Sequence, residues 1–264
     1  EEFGIAAENI AKENSIDILA PEKVEAFIGD QKVEKVKLAS GKELKADIVL
    51  IGIGSVANTE LAEKAGLELG VTKCIQVNRY LQTSDENIFA CGDCTEKVSF
   101  FDGQPSNLKL ASTATREARI AGANIFGTHR MNLGVIGVFS TVIGNTAFAS
   151  VGLLGEDARK KGFNIIVGEA EAPNRHPGGM PGMAMLKVKL VFEKSKGVIL
   201  GGRIMGADSA GEMINTLSVC IHEKMTCEDL TVFPMGTHPA LTASPLVYQL
   251  SNAAEMAVLA MKTG

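Results

Sequence analysis

The chain has 264 residues, of which 45% are hydrophobic and 22% charged, a composition typical of a globular protein. Its formal net charge of −5 and its lack of Trp argue against nucleic acids and anionic membranes as partners. The five cysteines are an odd number in a chain long enough to bury a core without disulfides, so we expect reduced thiols and a cytoplasmic protein.

The start of the chain predicts a helix followed by short strands. Apolar residues recur at helical spacing over residues 1–18, and a strand is expected to begin at Asp17. Residues 23–38 predict a β-hairpin that turns at Gly29-Asp30. These elements are expected to belong to a mixed α/β region.

A glycine-rich segment follows the apolar run Ile48–Ile51, which predicts a buried strand. Gly52 and Gly54 fit the G-x-G-x-x-A pattern of dinucleotide-binding loops. That fingerprint continues into a helix, with an acidic residue about 20 positions further on. Here Asn58 is predicted to cap only a short helix, and the next strand ends at Asn78, so the pattern does not predict a primary cofactor loop.

The centre of the chain predicts a strand that ends in a sharp turn. Ile88–Ala90 is a short apolar run of the kind found in buried strands. Gly92 allows the backbone to approach a ligand closely. Asp93 then stands at the carboxyl end of the strand, where open α/β sheets place ligand-binding groups.

A helix is predicted after this turn. Ser112 or Thr113 is expected to cap it, and Gly127 is expected to end it. A helix N-terminus offers backbone N–H groups and a partial positive charge. The turn and the helix together predict a ligand-binding edge.

Residues 131–264 predict an α+β domain. The uncharged segment Met131–Gly155 holds five glycines, which favours two buried strands around an Ile143–Asn145 turn over a membrane-spanning helix. The other predicted elements are a hairpin over Leu186–Met205, a helix capped by Asp208-Ser209, a capping box at Thr226-x-x-Asp229 and a final helix over 246–261. Helices gathered on one side of an antiparallel sheet make an α+β domain, whose apolar faces suit a homodimer.

Two motifs have side chains that can take part in chemistry. Cys91-x-x-Cys94 has the spacing of a redox dithiol, but it follows a strand instead of opening a helix, which favours two packed thiols. His238, in Gly236–Pro239, is either a proton-transfer group or a capping and packing residue. No Cys/His set has zinc-binding spacing, so no metal site is predicted.

The segment TSDENIFACGDC and the helix LASTATREARIAGANIFG resemble the FAD-dependent pyridine nucleotide–disulfide oxidoreductases, especially the branch of NADH oxidases and coenzyme A-disulfide reductases. The resemblance implies that Asp93, after Gly92, binds the ribityl hydroxyls of FAD. It also implies that the helix N-terminus at Ala111, Ser112 and Thr113 faces the N1–C2 carbonyl edge of the flavin.

The resemblance extends over the whole chain and implies three parts. Residues 1–54 resemble the end of an NAD(P)H-binding domain, with Gly52 and Gly54 in the crossover to the next domain. Residues 55–130 resemble the returning segment of a Rossmann-like FAD-binding domain, and residues 131–264 resemble the dimerisation domain. The family's first FAD loop, its redox cysteine and its main NAD(P)H loop are then expected in an upstream half of the same protein.

In the glutathione-reductase-like relatives of this family, a His-Pro motif reaches across the dimer and acts as acid–base partner for a thiol near the partner's flavin, and a Glu five residues later orients it. His238-Pro239 matches the motif, but Ala243 stands where the Glu is expected.

The resemblance as a whole implies passage of hydride from NADH or NADPH through FAD to oxygen or a disulfide. The alternatives are a non-catalytic dimerisation module when the chain is isolated, and part of a dihydrolipoamide or mercuric reductase, which Ala243 disfavours.

Overall fold

The computed structural model describes residues 2–127 and 129–263. The chain forms two compact units, Glu1–Val56 and Ala57–Gly264, and each is described by itself.

The first unit contains one helix and a small antiparallel sheet. Its elements are α1 (Glu2–Glu13), β1 (Val24–Ile28), β2 (Lys35–Leu38) and β3 (Glu43–Lys45), with the strands in the order β1-β2-β3. Helix α1 buries Phe3 and Ala11, which lie on one face two turns apart. The predicted hairpin is confirmed, although a loop over residues 29–34 replaces the two-residue turn.

Two strand predictions in the first unit are wrong. The residues that follow Asp17 are irregular, and Ile48–Ile51 forms no strand. Ile48 and Leu50 are 88% and 95% exposed. A buried strand needs hydrogen-bonding neighbours, and within the described residues no strand pairs with this run, so its apolar side chains stay uncovered.

The second unit carries the larger sheet and most of the helices. Its early elements are α2 (Glu60–Lys64), β4 (Lys97–Val98), β5 (Pro105–Ser106) and α3 (Ala111–Ile125). Its later elements are β6 (Val138–Ile143), β7 (Thr146–Gly152), α4 (Gly155–Lys160), β8 (Ile165–Pro173), β9 (Met185–Glu193), β10 (Ile199–Gly206), α5 (Ala210–His222), α6 (Cys227–Val232), a 3-10 turn (Pro245–Val247) and α7 (Gln249–Thr263).

The five later strands form one antiparallel sheet in the order β6-β7-β10-β9-β8, as an α+β domain requires. Helices α5, α6 and α7 bury their apolar residues against β7, β9 and β10 in the main core. Val191 and Leu200 alternate with core residues of the same strands, and they pack instead with Ala158 of α4 on the other face. On β8, a Cβ placed on Gly168 lies 1.8 Å from the carbonyl oxygen of Ala253, so α7 lies directly against the strand.

Several local predictions in the second unit are confirmed. Gly144 and Asn145 form the turn between β6 and β7, and Thr226 and Asp229 form a complete capping box at α6. Strand β6, however, is not buried. It lies at the edge of the sheet, and Val142 is 60% exposed.

The predicted strands in the first part of this unit are reduced to single bridges. Among the described residues, Phe89 forms a bridge only with Gln82, and Ile75 forms bridges with Leu69 and Thr95. The N-cap of α2 is Thr59, one residue after the predicted Asn58. No helix within residues 2–127 and 129–263 is both long and apolar enough to cross a membrane.

Candidate functional site

A tight turn at Gly92-Asp93 lies against helix α3. Gly92 is buried and has φ +85°, a left-handed conformation that favours glycine. The Thr95 N–H donates to the Gly92 carbonyl at 3.1 Å and closes the turn. A Cβ placed on Gly92 lies 3.5 Å from the Cβ of Ala114, so the turn touches the beginning of α3. Asp93 is exposed and is therefore accessible to a ligand.

The N-terminus of α3 has no side-chain cap from its N-cap residue. The structure corrects the predicted cap: Leu110 is the N-cap, in an extended conformation, and Ser112 and Thr113 lie inside the first turn. Their backbone is already helical, so their hydroxyls cannot take the cap position. Ala111 and Ser112 are exposed while Thr113 is buried. The predicted end of the helix is confirmed, since α3 stops at Ile125 just before Gly127.

A buried ion pair joins the turn to the helix. Lys97 Nζ lies 2.9 Å from Glu117 Oε2, and the two side chains are only 3% and 1% exposed. The same Oε2 accepts a hydrogen bond from the Gly92 N–H at 2.9 Å. Lys97 Nζ also donates to the Gly92 carbonyl oxygen and to the Thr95 carbonyl oxygen. Both backbone polar groups of Gly92 are thus bound by the members of one ion pair.

Sequence reasoning missed this pair, although one signal was present. The buried residues of α3 are spaced at helical intervals and include Glu117 together with Thr113, Ile120 and Ala121. A carboxylate on a buried helix face needs a partner, because an isolated buried charge is very costly. The spacing therefore indicates that a cation is required, but it does not indicate which one.

Arg116, the neighbour of Glu117, ties α3 to the segment that leads into β6. Its guanidinium donates to the Asn132 side chain at 2.9 Å and to the Gly134 carbonyl at 2.7 Å. Burial lowers the pKa of Arg116 from its ordinary value, and the negative charge of Glu117 opposes that shift.

A cavity of about 520 Å³ adjoins this region. Ser112, Thr113 and Arg116 line one side of it, and Asn215, Ser218 and His222 of α5 line another. The His222 ring stacks on Phe100, and its Nδ1 lies 2.9 Å from a carboxylate oxygen of Glu223.

The two thiols of Cys91-x-x-Cys94 lack the surroundings of an activated dithiol. Burial raises the pKa of Cys91, and the negative charge of Glu117 raises it further, while the positive charge of Lys97 opposes the rise. The Cys94 thiol donates weakly to the Cys91 carbonyl at 3.4 Å. Both features favour the interpretation of packed thiols.

His238 is exposed and lies in a short turn. The ring Nδ1 of His238 accepts a hydrogen bond from the Ala240 backbone N–H at 3.2 Å. The backbone N–H of His238 donates to the Thr242 hydroxyl at 3.0 Å. Ala243 is buried and has no polar side chain, so it cannot orient the ring. The His176 N–H donates to the Pro239 carbonyl at 3.0 Å, a contact between two histidine loops that the sequence did not predict.

Gly52 and Gly54 lie in the first unit, whereas the other predicted site residues lie in the second. Both glycines are exposed, and Gly54 has φ +95°. The residues before them form no strand, so the strand–loop–helix arrangement of a dinucleotide fingerprint is not formed there.

Two family models match most of the chain. The profile described as pyridine nucleotide-disulphide oxidoreductase matches residues 1–118, and that family's dimerisation domain matches residues 138–246. The chain belongs to the pyridine nucleotide–disulphide oxidoreductase family. Members of this family are FAD-dependent NAD(P)H oxidoreductases.

Individual relatives support the assignment. The chain is 32% identical over 222 residues to an NADH oxidase of Methanocaldococcus jannaschii. The aligned region covers 83% of this chain and 48% of that protein. It is 33% identical over 199 residues to a CoA-dependent NAD(P)H sulfur oxidoreductase of Pyrococcus furiosus, which covers 73% of this chain and 45% of that protein.

Solved structures show the same fold. An NAD-dependent persulfide reductase from A. fulgidus superposes with a TM-score of 0.90 at 30% identity, which covers 99% of this chain and 48% of that one. The predicted combination of a partial cofactor-binding region and an antiparallel α+β domain is confirmed. The chain spans about half the length of the curated relatives that it matches.

Proposed function

We propose that this chain supplies the second half of a flavin site, and the dimer interface, of an enzyme that passes hydride from NADH or NADPH through FAD to oxygen or a disulfide. The observation that carries the proposal is the contact between the Gly92-Asp93 turn and the first turns of α3. It brings together the two elements that the family resemblance assigns to FAD.

The groups present fit a flavin nucleotide. The Asp93 carboxylate is exposed and can accept hydrogen bonds from ribityl hydroxyls. The exposed N-terminus of α3 at Ala111 and Ser112, with Thr113 buried behind them, favours negative charge nearby. When bound, FAD supplies the hydride and electron chemistry, and the protein binds, orients and polarises it.

We propose His238 as the acid–base group. Because its Nδ1 accepts from the Ala240 N–H, the neutral ring carries its proton on Nε2. In this form the Nε2–H can donate a hydrogen bond to a thiolate product, and proton transfer from Nε2 takes place from the imidazolium, which forms when Nδ1 releases the Ala240 N–H and takes up a proton. The Thr242 hydroxyl accepts from the His238 backbone N–H and so fixes the backbone of the turn, while Ala243 offers no carboxylate to orient the ring.

The proposal keeps the division of the chain into the three parts predicted from the sequence. Residues 1–54 end an NAD(P)H-binding domain whose crossover contains Gly52 and Gly54, residues 55–130 return to the FAD domain, and residues 131–264 form a homodimer. The match of residues 138–246 to a dimerisation domain supports the dimer. An upstream half of the same cytoplasmic protein completes the flavin and nucleotide sites.

Two observations bear on the electron acceptor. Relatives whose names specify NADH oxidation, sulfur reduction or persulfide reduction favour oxygen or a sulfur–sulfur bond as acceptor. The buried Ala243 disfavours a dihydrolipoamide or mercuric reductase. A second candidate function is a dimerisation module without stable flavin. The Gly92-Asp93 turn and α3 both lie in the second unit, so flavin binding by these elements can be tested on this chain.

The test uses two protein lengths. The 264-residue chain and the protein at its natural length are each mixed with FAD and separated by gel filtration. Flavin that stays with the natural-length protein and is bleached anaerobically by NADH or NADPH supports the proposal. Near-stoichiometric flavin on the 264-residue chain contradicts the half-site, and no flavin on the natural-length protein contradicts the enzyme. Light scattering that gives a monomer mass at micromolar concentration contradicts the dimer.

A further inference from the structure

We propose that Lys97 and Glu117 are positioning residues that fix Asp93 relative to the N-terminus of α3, and thereby set the affinity and the electronic environment of the bound flavin. This inference rests on the proposed function. It starts from a buried ion pair that no step of the proposed chemistry uses directly.

The contacts are complementary at a single residue. Glu117 Oε2, an acceptor, binds the Gly92 N–H at 2.9 Å, and Lys97 Nζ, a donor, binds the Gly92 carbonyl oxygen. The Thr95 hydroxyl also donates to that carbonyl, at 2.9 Å. The peptide planes on both sides of Gly92 are therefore held, and the second plane includes the backbone nitrogen of Asp93. The direction in which Asp93 leaves the turn is set by these bonds.

The same pair ties the turn to the helix. Glu117 lies six residues after Ala111, which corresponds to roughly 9 Å along a rigid helix. The Gly92-Asp93 turn cannot shift along α3 without breaking a buried charge-assisted hydrogen bond. The Asp93 carboxylate and the N-terminus of α3, which we propose to approach different parts of the flavin, thus move as one body.

Stability alone is a weak reason for such a pair. Removing two charges from water costs about as much as their attraction returns, and well-packed apolar residues of similar volume are often equally stable. A placement of Gly92 in which Glu117 accepts from the N–H and Lys97 donates to the carbonyl is a stronger reason, because apolar residues cannot reproduce either bond. The pair is nearly inaccessible to water, so its hydrogen bonds are not replaced by solvent when they are lost.

Two variants separate position from stability. The charge swap Lys97→Glu/Glu117→Lys keeps an ion pair, but it points a carboxylate at the Gly92 carbonyl and an ammonium at the Gly92 N–H. The neutral variant Lys97→Met/Glu117→Gln keeps similar volumes and an acceptor for the N–H, but it removes the charged donor to the carbonyl and leaves that oxygen with the Thr95 N–H and hydroxyl alone. The matched control is the swap Glu60→Lys/Lys64→Glu, at an exposed pair on α2 whose charged atoms lie 2.6 Å apart.

The measurements are the FAD dissociation constant, the flavin absorption spectrum and the flavin midpoint potential of the natural-length protein, with amide hydrogen exchange at Gly92 as a readout that needs no flavin. We expect both variants at the Lys97–Glu117 pair to weaken FAD by roughly tenfold or more. We also expect faster exchange at Gly92 and a shifted potential, while the control matches the wild type.

Asp93→Ala distinguishes a failure of the positioning role from a failure of the proposed function. If Asp93→Ala weakens FAD but the neutral variant folds and binds FAD as the wild type does, with the same potential, the positioning role is overturned and the proposed function stands. If Asp93→Ala also leaves FAD affinity unchanged, the proposed function itself fails. A neutral variant that does not fold shows that the pair serves folding, which also overturns the positioning role.

Discussion

The backbone N–H of Gly92 lies 2.9 Å from the Oε2 atom of Glu117, a residue 25 positions later in the chain. This bond joins the turn that carries Asp93 to the helix whose N-terminus we propose to face the flavin. The local conformation of Gly92, the packing of α3 and the proposed cofactor site thus depend on one small region, and each can be tested separately.

The conformation of Gly92 predicts a stability loss on substitution. Gly92→Ala adds a Cβ that makes only an ordinary contact with Ala114, but φ stays at +85°. We expect a loss of roughly 1–2 kcal/mol, because an L-residue is strained in the left-handed region. Urea unfolding followed by circular dichroism measures it.

Gly122→Ala is the matched control for that substitution. Gly122 lies inside α3, and an added Cβ meets no atom within 4 Å. This change is expected to raise stability by up to about 1 kcal/mol, because alanine is the better helix former. Equal effects of the two substitutions would show that the turn at Gly92 is not strained by a side chain.

His238 is predicted to act in turnover and not in flavin binding. In His238→Asn the Asn oxygen can replace Nδ1 as acceptor for the Ala240 N–H, so the turn is retained while the proton-carrying nitrogen is lost. We expect kcat with a disulfide acceptor to fall by about 10²-fold, at the lower end of general acid–base contributions. Stopped-flow assays of the natural-length protein measure both half-reactions.

His129→Asn serves as its control. His129 has φ +52°, a conformation that Asn tolerates, and its ring contacts Tyr80. Turnover should be unaffected by this change. A His238→Asn protein that reduces the disulfide at the wild-type rate would remove His238 from the chemistry.

The Cys91-x-x-Cys94 motif is predicted to be inert as a redox pair. Burial raises the pKa of Cys91, so the thiolate, which is the reactive form, is scarce at neutral pH. Alkylation of Cys91, followed by mass spectrometry of the native protein, is expected to be slower than alkylation of the unfolded protein. Labelling of Cys91 at the same rate in both states, or a Cys91–Cys94 disulfide formed during turnover, would contradict this.

The capping box of α6 gives a pH-dependent contribution to stability. Hydrogen bonds from the Thr226 backbone N–H and hydroxyl lower the pKa of Asp229. The carboxylate therefore stabilises the folded state above the unfolded pKa, near 3.9, and this contribution is lost as the pH falls through the lower folded value. Asp229→Asn should destabilise the protein at pH 7, and the difference should disappear in acid.

Glu228→Gln is the control for the capping box, since Glu228 lies in the same first turn. Asp229 makes the capping bonds, so we expect a smaller loss at Glu228. Thr226→Ala should cost about 1 kcal/mol, the usual value for an N-cap. Thermal unfolding across the pH range measures all three variants, and an Asp229→Asn effect that persists unchanged in acid would contradict the assignment.

Local signals allowed part of this fold to be predicted. The capping box at Thr226 and Asp229, the end of α3 before Gly127 and the hairpin turn at Gly144 each depend on residues close together in the chain. Such short-range signals are complete in the sequence. The Gly-Asp turn and the helix after it were located in the same way.

The wrong strand predictions depend on hydrogen-bonding partners that the apolar runs themselves do not identify. The apolar runs Ile48–Ile51 and Ile88–Ala90 show a need for burial, but they do not show which strand supplies the hydrogen bonds. The contact of Lys97 with Glu117 spans 20 positions, and only the spacing of buried residues on α3 hinted at it. The N-cap of α3 falls at Leu110 because the chain becomes helical before the hydroxyl residues.

The central claim is that Asp93 binds the ribityl chain of a flavin beside the N-terminus of α3. Its most direct test is a cycle that combines one change in the natural-length protein with one change in the ligand. Asp93→Ala is combined with an FAD analogue that lacks the ribityl hydroxyls, and Asp157→Ala, at an exposed Asp of α4, is the control. We predict that Asp93→Ala weakens FAD by roughly tenfold or more but leaves the affinity for the analogue unchanged. An equal loss for both ligands, or no loss for either, would contradict the account.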